Sequence, residues 1–224
     1  LCDAPLLTGA TRGGGYATHV VADVRFCFPL PKGIGDVEAA PLLCAGLIGW
    51  RAYRMAGNCE ALGLYGFGAA AHILAQVAIA EGKRVFAFTR EGDTESQEFA
   101  RSLGCEWAGS GDATPGIKLD SAIIFAPVGT LVPAALKLVR KGGRIVCAGI
   151  HMSDIPGFPY ADLWGERSIR SVANLTRADG TDFLSCDHIS AIKTHTTTYP
   201  LEQANQALDD LREGRLQGAA VLVP

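Results

Sequence analysis

The sequence has no surplus of positive charge: twenty Lys and Arg stand against twenty-three Asp and Glu in 224 residues, for a net charge of −3. Nothing in that balance would neutralise a phosphate backbone, so a nucleic-acid partner is not expected. No apolar run approaches the roughly 20 residues that a membrane-spanning helix requires, and no membrane partner is expected either. The chain opens Leu1-Cys2-Asp3-Ala4-Pro5, with no Met, no basic start and no apolar leader core. It therefore resembles neither a secreted precursor nor a natural N-terminus. The cysteines (Cys2, Cys27, Cys44, Cys59, Cys105, Cys147 and Cys186) include no C-x-x-C pair and are odd in number. That argues against a disulfide framework and for reduced thiols in a cytoplasm. Disorder is excluded too, since 48% of residues are hydrophobic and only 19% charged, enough to build a core.

What the chain does have is glycine, 27 residues of it, placed at the ends of apolar runs where turns and close backbone approaches belong. Residues 12–31 are β-branched and aromatic between glycines and prolines, which predicts two short strands. Asp36 is expected to cap a helix that runs through Leu43 to about Met55 and stops at Gly57. From there strands and helices alternate. Leu62–Tyr65, Arg84–Thr89, Asp120–Phe125, Arg144–Gly149 and Ser168–Ala173 read as strands. Ala69–Glu81, Thr94–Leu103 and Leu131–Val139 read as helices, each followed by a glycine stop. Continuous apolar strands separated by helices imply a parallel sheet covered on both faces, an α/β doubly wound (Rossmann) fold. Toward the end, Glu202–Arg212 reads as a helix with an apolar stripe at Ala204, Ala207 and Leu211, and Ala219–Val223 as a closing strand.

The sharpest motif is Gly66-Phe67-Gly68-Ala69-Ala70-Ala71, a G-x-G-x-x-A loop between the first sheet strand and its helix. Gly66 suits a tight turn, Gly68 lets a pyrophosphate approach the backbone, and a small Ala71 permits close helix–strand packing. The helix-start amides, with the helix dipole behind them, would hold the phosphate charge. A bare packing turn could carry the same letters, but the strand–loop–helix–strand context favours a dinucleotide site. The second strand ends in Thr89-Arg90 rather than in an acid, and Thr89 lies 23 residues past Gly66, near the usual spacing of about 20. A hydroxyl followed by a guanidinium suits a ribose 2′-phosphate, which favours NADP over NAD; a solvated loop arginine is the plain alternative.

Together, Gly14-Gly15-Tyr16-Ala17, Pro41 to Leu47, Gly66 to Ala71, Gly149 to Pro156 and Leu163 to Arg167 resemble the zinc-dependent alcohol dehydrogenases of the medium-chain dehydrogenase/reductase superfamily. The likeness is narrower to their bacterial zinc-binding subgroup and covers essentially the whole chain. It implies an oxidoreductase moving a hydride between NAD(P) and a small alcohol, aldehyde or ketone. It also implies three parts: residues 1–43 as the remnant of a GroES-like catalytic domain, 44–173 as the dinucleotide domain, and 174–224 as the return to the catalytic domain. Cys44 matches one ligand of the family's catalytic zinc, and Cys2 matches the last of the cysteines that hold its structural zinc. The remaining ligands would precede residue 1, so neither site is expected to be complete, and the chain alone is expected to be inactive.

The resemblance further places the backbone of Gly149, Ile150 and His151 by the nicotinamide, with His151 as a proton relay, a substrate-facing group or a surface-loop residue. Ala126 and Pro127 would line the adenosine side. Asn174 would meet the carboxamide through its backbone or serve as a turn former. Trp164 is expected to be a packing anchor, with Glu166 and Arg167 as an ion pair. Ile48 stands where many members carry a hydroxyl, and Gly218-Ala219 where some carry an arginine for the pyrophosphate. Homo-oligomers follow by the same analogy. Two rivals remain, a zinc-free quinone-reductase-like enzyme and a non-catalytic dinucleotide-binding module.

Overall fold

The computed structural model describes residues 2–224; Leu1, the first residue of the expected 1–43 part, lies outside the described residues. Along the chain the elements are α1 (Asp36–Pro41), a π-helical turn (Leu42–Gly46), α2 (Leu47–Ala56), β1 (Ala61–Tyr65), α3 (Ala69–Ala80), β2 (Arg84–Thr89) and α4 (Thr94–Ser102). They continue with β3 (Trp107–Ser110), β4 (Leu119–Ile124), α5 (Leu131–Leu138), β5 (Val139–Cys147), α6 (Tyr160–Leu163) and β6 (Ser168–Ser171). The last are α7 (Arg177–Leu184), β7 (Thr196–Pro200), α8 (Ala204–Arg212) and β8 (Ala219–Val223).

Six strands form one parallel sheet in the order β3-β2-β1-β4-β5-β6. This is the doubly wound α/β fold, and its order reverses between β1 and β4, the point where such sheets open a crevice beyond their carboxyl ends. β1 is buried along its whole length, as expected of a central strand with helices on both faces. Its pleat divides the core. Leu62 and Leu64 face one cluster with Ile73, Leu74, Val85 and Val146, and Ala61 and Tyr65 face the other with Phe86, Phe88, Val132 and Ile145. Tyr65 and Phe88 lie ring on ring on that second face, with centroids 4.1 Å apart and planes within 1°. β7 and β8 pair in parallel as a separate ribbon.

Five expectations are corrected. Residues 12–31 form no strands; the segment carries only a bridge from Thr8 to Arg12 and a 3-10 turn at Val24–Phe26. Residues 2–27 are exposed throughout, and β-branched residues without a neighbouring strand have no ladder to join. The helix of residues 36–56 is capped by Gly35 rather than Asp36, and it is not uniform. Pro41 sits inside it without an N–H to donate, and the π turn follows directly, its Leu47 N–H reaching back to the Leu42 carbonyl. In α8 Ala207 is buried, whereas Leu211 of the expected stripe is 59% exposed. Trp164 is exposed rather than an anchor, with the Lys141 ammonium 5.3 Å from its ring centroid. Arg167 bonds the carbonyls of Val139 and Trp164 instead of pairing with Glu166, and Glu166 sits in the left-handed region at φ 64°.

Candidate functional site

Because the sheet is parallel, the segments leaving β1, β2, β4, β5 and β6 all emerge on one edge, and that edge gathers most of the predicted site. Gly66 turns the chain out of β1 at φ +87°, a conformation L side chains rarely adopt. Its amide donates to the Phe88 carbonyl at 2.8 Å. A Cβ there would stand 2.8 Å from the Ala126 nitrogen, so the β1 and β4 exits approach each other through this glycine. The Phe125 and Ala126 amides in turn donate to the Tyr65 carbonyl at 2.8 and 3.1 Å.

Gly68 is the N-cap of α3 and has no side-chain cap. A Cβ on it would meet nothing within 4 Å, so the loop opens toward solvent at the position where a ligand backbone would approach. The first bond of the helix runs from the His72 amide to the Gly68 carbonyl, leaving the amides of Ala69, Ala70 and Ala71 without a helical acceptor. Ala71 is fully buried against the sheet. These features fit a dinucleotide: a glycine turn, open space over Gly68, and unpaired donors backed by a helix dipole.

At the end of β2 the two predicted residues part company. Thr89 is buried, and its hydroxyl is taken up internally: it donates to the Arg90 carbonyl at 3.1 Å and accepts from Gln97 Nε2 at 3.0 Å. Arg90 is exposed and enters no ion pair among the described residues, so its guanidinium is the group at this strand end that remains open to an anion.

The exits of β4 and β5 are tied together. Gly149 packs so closely on them that a Cβ would lie 3.2 Å from the Phe125 carbonyl oxygen and 3.3 Å from the Cα of Pro127. Ser153 Oγ accepts the Gly129 amide at 2.9 Å, and the Ser153 amide donates to the Pro127 carbonyl at 3.2 Å. Ile150 is 86% exposed and His151 is exposed beside it. Gly149 and Ile150 line a recess of about 570 Å³ with Met152, Ile169 and Val172. A second hollow of about 780 Å³ lies between Phe26, Phe28, Leu43, Leu47, Asn174 and Leu175. Asn174, exposed, turns its Oδ1 onto the Leu175 amide at 2.9 Å, and α7 begins just beyond with a capping box in which Thr176 and Asp179 bond each other's backbone amides.

Cys44 lies in the π turn, its side chain exposed, next to Leu43 at the rim of the larger hollow. The turn rests on α3 and α7: Gly46 faces Ile73 and the Phe183 ring, which a Cβ would meet at 2.8 Å. Cys2 is exposed in the N-terminal segment. No group of three or more His, Cys, Asp or Glu among the described residues could hold a metal ion. One thiolate apiece does not make a zinc site, so Cys44 and Cys2 do not fit the metal by themselves. All seven cysteines are free, and burial pushes the Cys59 thiol up to about 11 and the Cys105 thiol up to about 12. Those two are packing residues rather than nucleophiles.

Sequence reasoning passed over His72, which is fully buried directly behind the loop. Its Nδ1 lies 3.2 Å from the Gly68 carbonyl, and its Nε2 accepts the His195 amide at 3.1 Å. The signal available in the sequence was its position just after the G-x-G-x-x-A run, facing inward at helical spacing.

No protein-family model matches the chain. It is 44% identical over its whole length to a Mycobacterium tuberculosis protein named "Probable alcohol dehydrogenase AdhA", of which it covers 65%. It is 32% identical over 99% of its length to a Geobacillus stearothermophilus alcohol dehydrogenase, of which it covers 68%. The chain thus spans about two thirds of the length of these relatives. The same fold is seen in acetophenone reductase from Geotrichum candidum, solved in complex with NAD, at TM-score 0.87 and 23% identity over 100% of this chain and 67% of that one. With such identity sustained end to end, and the glycine loop seated at the sheet's switch point, the chain belongs to the alcohol dehydrogenase family of the medium-chain dehydrogenase/reductase type.

Proposed function

We propose that the chain is the coenzyme-binding part of an NAD(P)-dependent oxidoreductase acting on a small alcohol and its aldehyde or ketone. The observation that carries this reading is the open glycine loop at the β1–β4 switch point, where Gly68 faces free space and the amides of Ala69, Ala70 and Ala71 lack acceptors. The bound coenzyme supplies the hydride acceptor or donor. The chain binds and orients it. The α3 amides hold the diphosphate. Ala126 and Pro127 wall the adenosine side, and the backbone at Gly149, Ile150 and His151, with Asn174, meets the nicotinamide end. His151, exposed on its loop, stands on the side from which substrate and proton would arrive.

The same reading assigns residues 44–173 to the dinucleotide unit and the flanking 1–43 and 174–224 to the catalytic part. Cys44 would supply one thiolate to a zinc ion, and Cys2 one to a structural zinc, with the other ligands provided from outside this chain. Free thiols suit a cytoplasmic setting. The edge strand β6, at the end of the sheet order, suits pairing with a second copy.

Arg90 bears on the choice of coenzyme. An unpaired guanidinium at the end of β2 favours a 2′-phosphate, hence NADP(H), although the structurally similar acetophenone reductase was solved with NAD. Titration of the protein with NADPH and NADH, followed by coenzyme fluorescence, tests both levels. Tighter NADPH binding is expected, and Arg90→Ala should weaken it about tenfold, the size of a charge-assisted hydrogen bond, while leaving NADH unchanged. A tenfold preference for NADH would reverse the assignment of Arg90. No binding of either would remove the oxidoreductase reading.

A further inference from the structure

His72 makes two bonds whose chemistry fixes its state. The Gly68 carbonyl can only accept and the His195 amide can only donate, so the ring carries its proton on Nδ1 and a lone pair on Nε2. Burial lowers its pKa, which keeps that neutral form. One turn further along α3, Gln76 bonds Lys193 in both directions, its Nε2 to the Lys193 carbonyl and its Oε1 to the Lys193 amide, each at 2.9 Å. The Phe99 ring packs against His72 and His195, with centroids 5.9 and 5.2 Å away. Residues 193–195 are therefore fastened to the inner side of α3, and the His195 carbonyl passes the connection on by accepting the amide of Ala219 in β8 at 2.9 Å.

The Gly68 carbonyl and the Ala69 amide belong to one rigid peptide plane. Gly68 is the residue best able to let that plane swing, having no side chain and open space around it. The plane is held from inside twice, by the His72 amide at 3.0 Å and by the His72 ring at 3.2 Å. With its carbonyl drawn inward, the plane turns the Ala69 N–H outward. We infer that His72 is a positioning residue for the coenzyme: it holds the Gly68–Ala69 peptide so that its amide faces the diphosphate, and it couples that peptide to the 193–195 segment. The inference rests on the dinucleotide reading above.

Two near-isosteric substitutions separate the two arms. His72→Asn keeps an amide donor where Nδ1 stands and gives up the reach to His195. His72→Gln keeps an acceptor near the His195 amide and gives up the short donor to Gly68. NADPH and NADH titrations of wild type and both variants at pH 7.5, with thermal midpoints and amide hydrogen exchange of the coenzyme-free proteins, give the readings. The positioning role predicts affinity within about twofold of wild type for His72→Asn and a loss of about fivefold for His72→Gln, one neutral hydrogen bond. It also predicts faster exchange at His195 in His72→Asn alone. His72→Gln binding as tightly as wild type, or both variants losing affinity equally, overturns the inference while the dinucleotide reading stands. Should His72→Gln not fold, loss of affinity by His72→Asn overturns it and retention supports it. Wild type that binds neither coenzyme overturns the dinucleotide reading itself, and this role with it.

Discussion

Residues 16–31 and residues 84–89 look alike on paper, both rich in Val and Phe, yet one segment is irregular and, apart from the half-buried Phe28 and Pro31, exposed, while the other is an interior strand. Val85, Phe86, Ala87 and Phe88 are all at most 1% exposed, because β2 has a ladder on either side, β1 and β3, and helices over both faces. Val21 is 96% exposed, Val24 78% and Phe26 76%, with no strand beside them among the described residues. Strand propensity describes how well a side chain fits a pleated, half-buried surface, and it has no meaning until that surface exists.

The largest test of this contrast is a pair of truncations. Leu64→Ala empties a fully buried position in β1 and should lower unfolding free energy in urea by about 3 kcal/mol. Val21→Ala should stay within about 0.5 kcal/mol of wild type. Equal costs would break the comparison. A smaller effect is expected at the exit of β1. Gly66→Ala must adopt a left-handed φ and press on the Ala126 nitrogen, at a cost of about 1–2 kcal/mol. Coenzyme affinity measured in the same protein should fall with it; unchanged stability and affinity would show that the turn relaxes freely.

The smallest effect sharpens the comparison by pH. The folded-state pKa of His72 is lowered, chiefly by burial and secondarily by His195, against its bonds to the backbone. The unfolded chain then binds the proton more readily, so this stabilisation is present above the unfolded value of about 6.5 and declines as pH falls below it. The thermal midpoint should therefore drop between pH 7.5 and 5.5, and His72→Leu should flatten that slope. A slope identical in both proteins would mean that another group titrates.

Where a single physical signal decided an element, the sequence was enough. β2 is bounded by Arg84 and Arg90 around an unbroken apolar run, and its observed span, Arg84–Thr89, matches the expected one. The glycine loop was legible for the same reason, since its letters, its flanking strand and its helix agree. β3 was not anticipated, because Trp107-Ala108-Gly109-Ser110 is too short and too weak in strand formers to announce itself and exists only by pairing with β2. α7 was missed although Thr176 and Asp179 spell a capping box. At the site, Thr89 and Arg90 read as a pair, but only side-chain geometry shows the hydroxyl turned inward. The place of His72 just after the glycine run was legible, but its bond to His195, 123 residues away, was not, because such a bond has no local signature.

The wide turn at Leu42–Gly46 sets a register. Each residue of a regular helix advances the side chains by about 100°, so one surplus residue decides which way everything upstream of it points relative to Trp50 and Tyr53. Removing a single amino acid there would let the helix wind evenly while rotating the sulfur of Cys44 by about 100°, and with it the buried side chains of Ala39, Pro41 and Leu42. The direction of that thiol is thus encoded by a count of residues, and the burial of the turn that carries it is encoded by the same count.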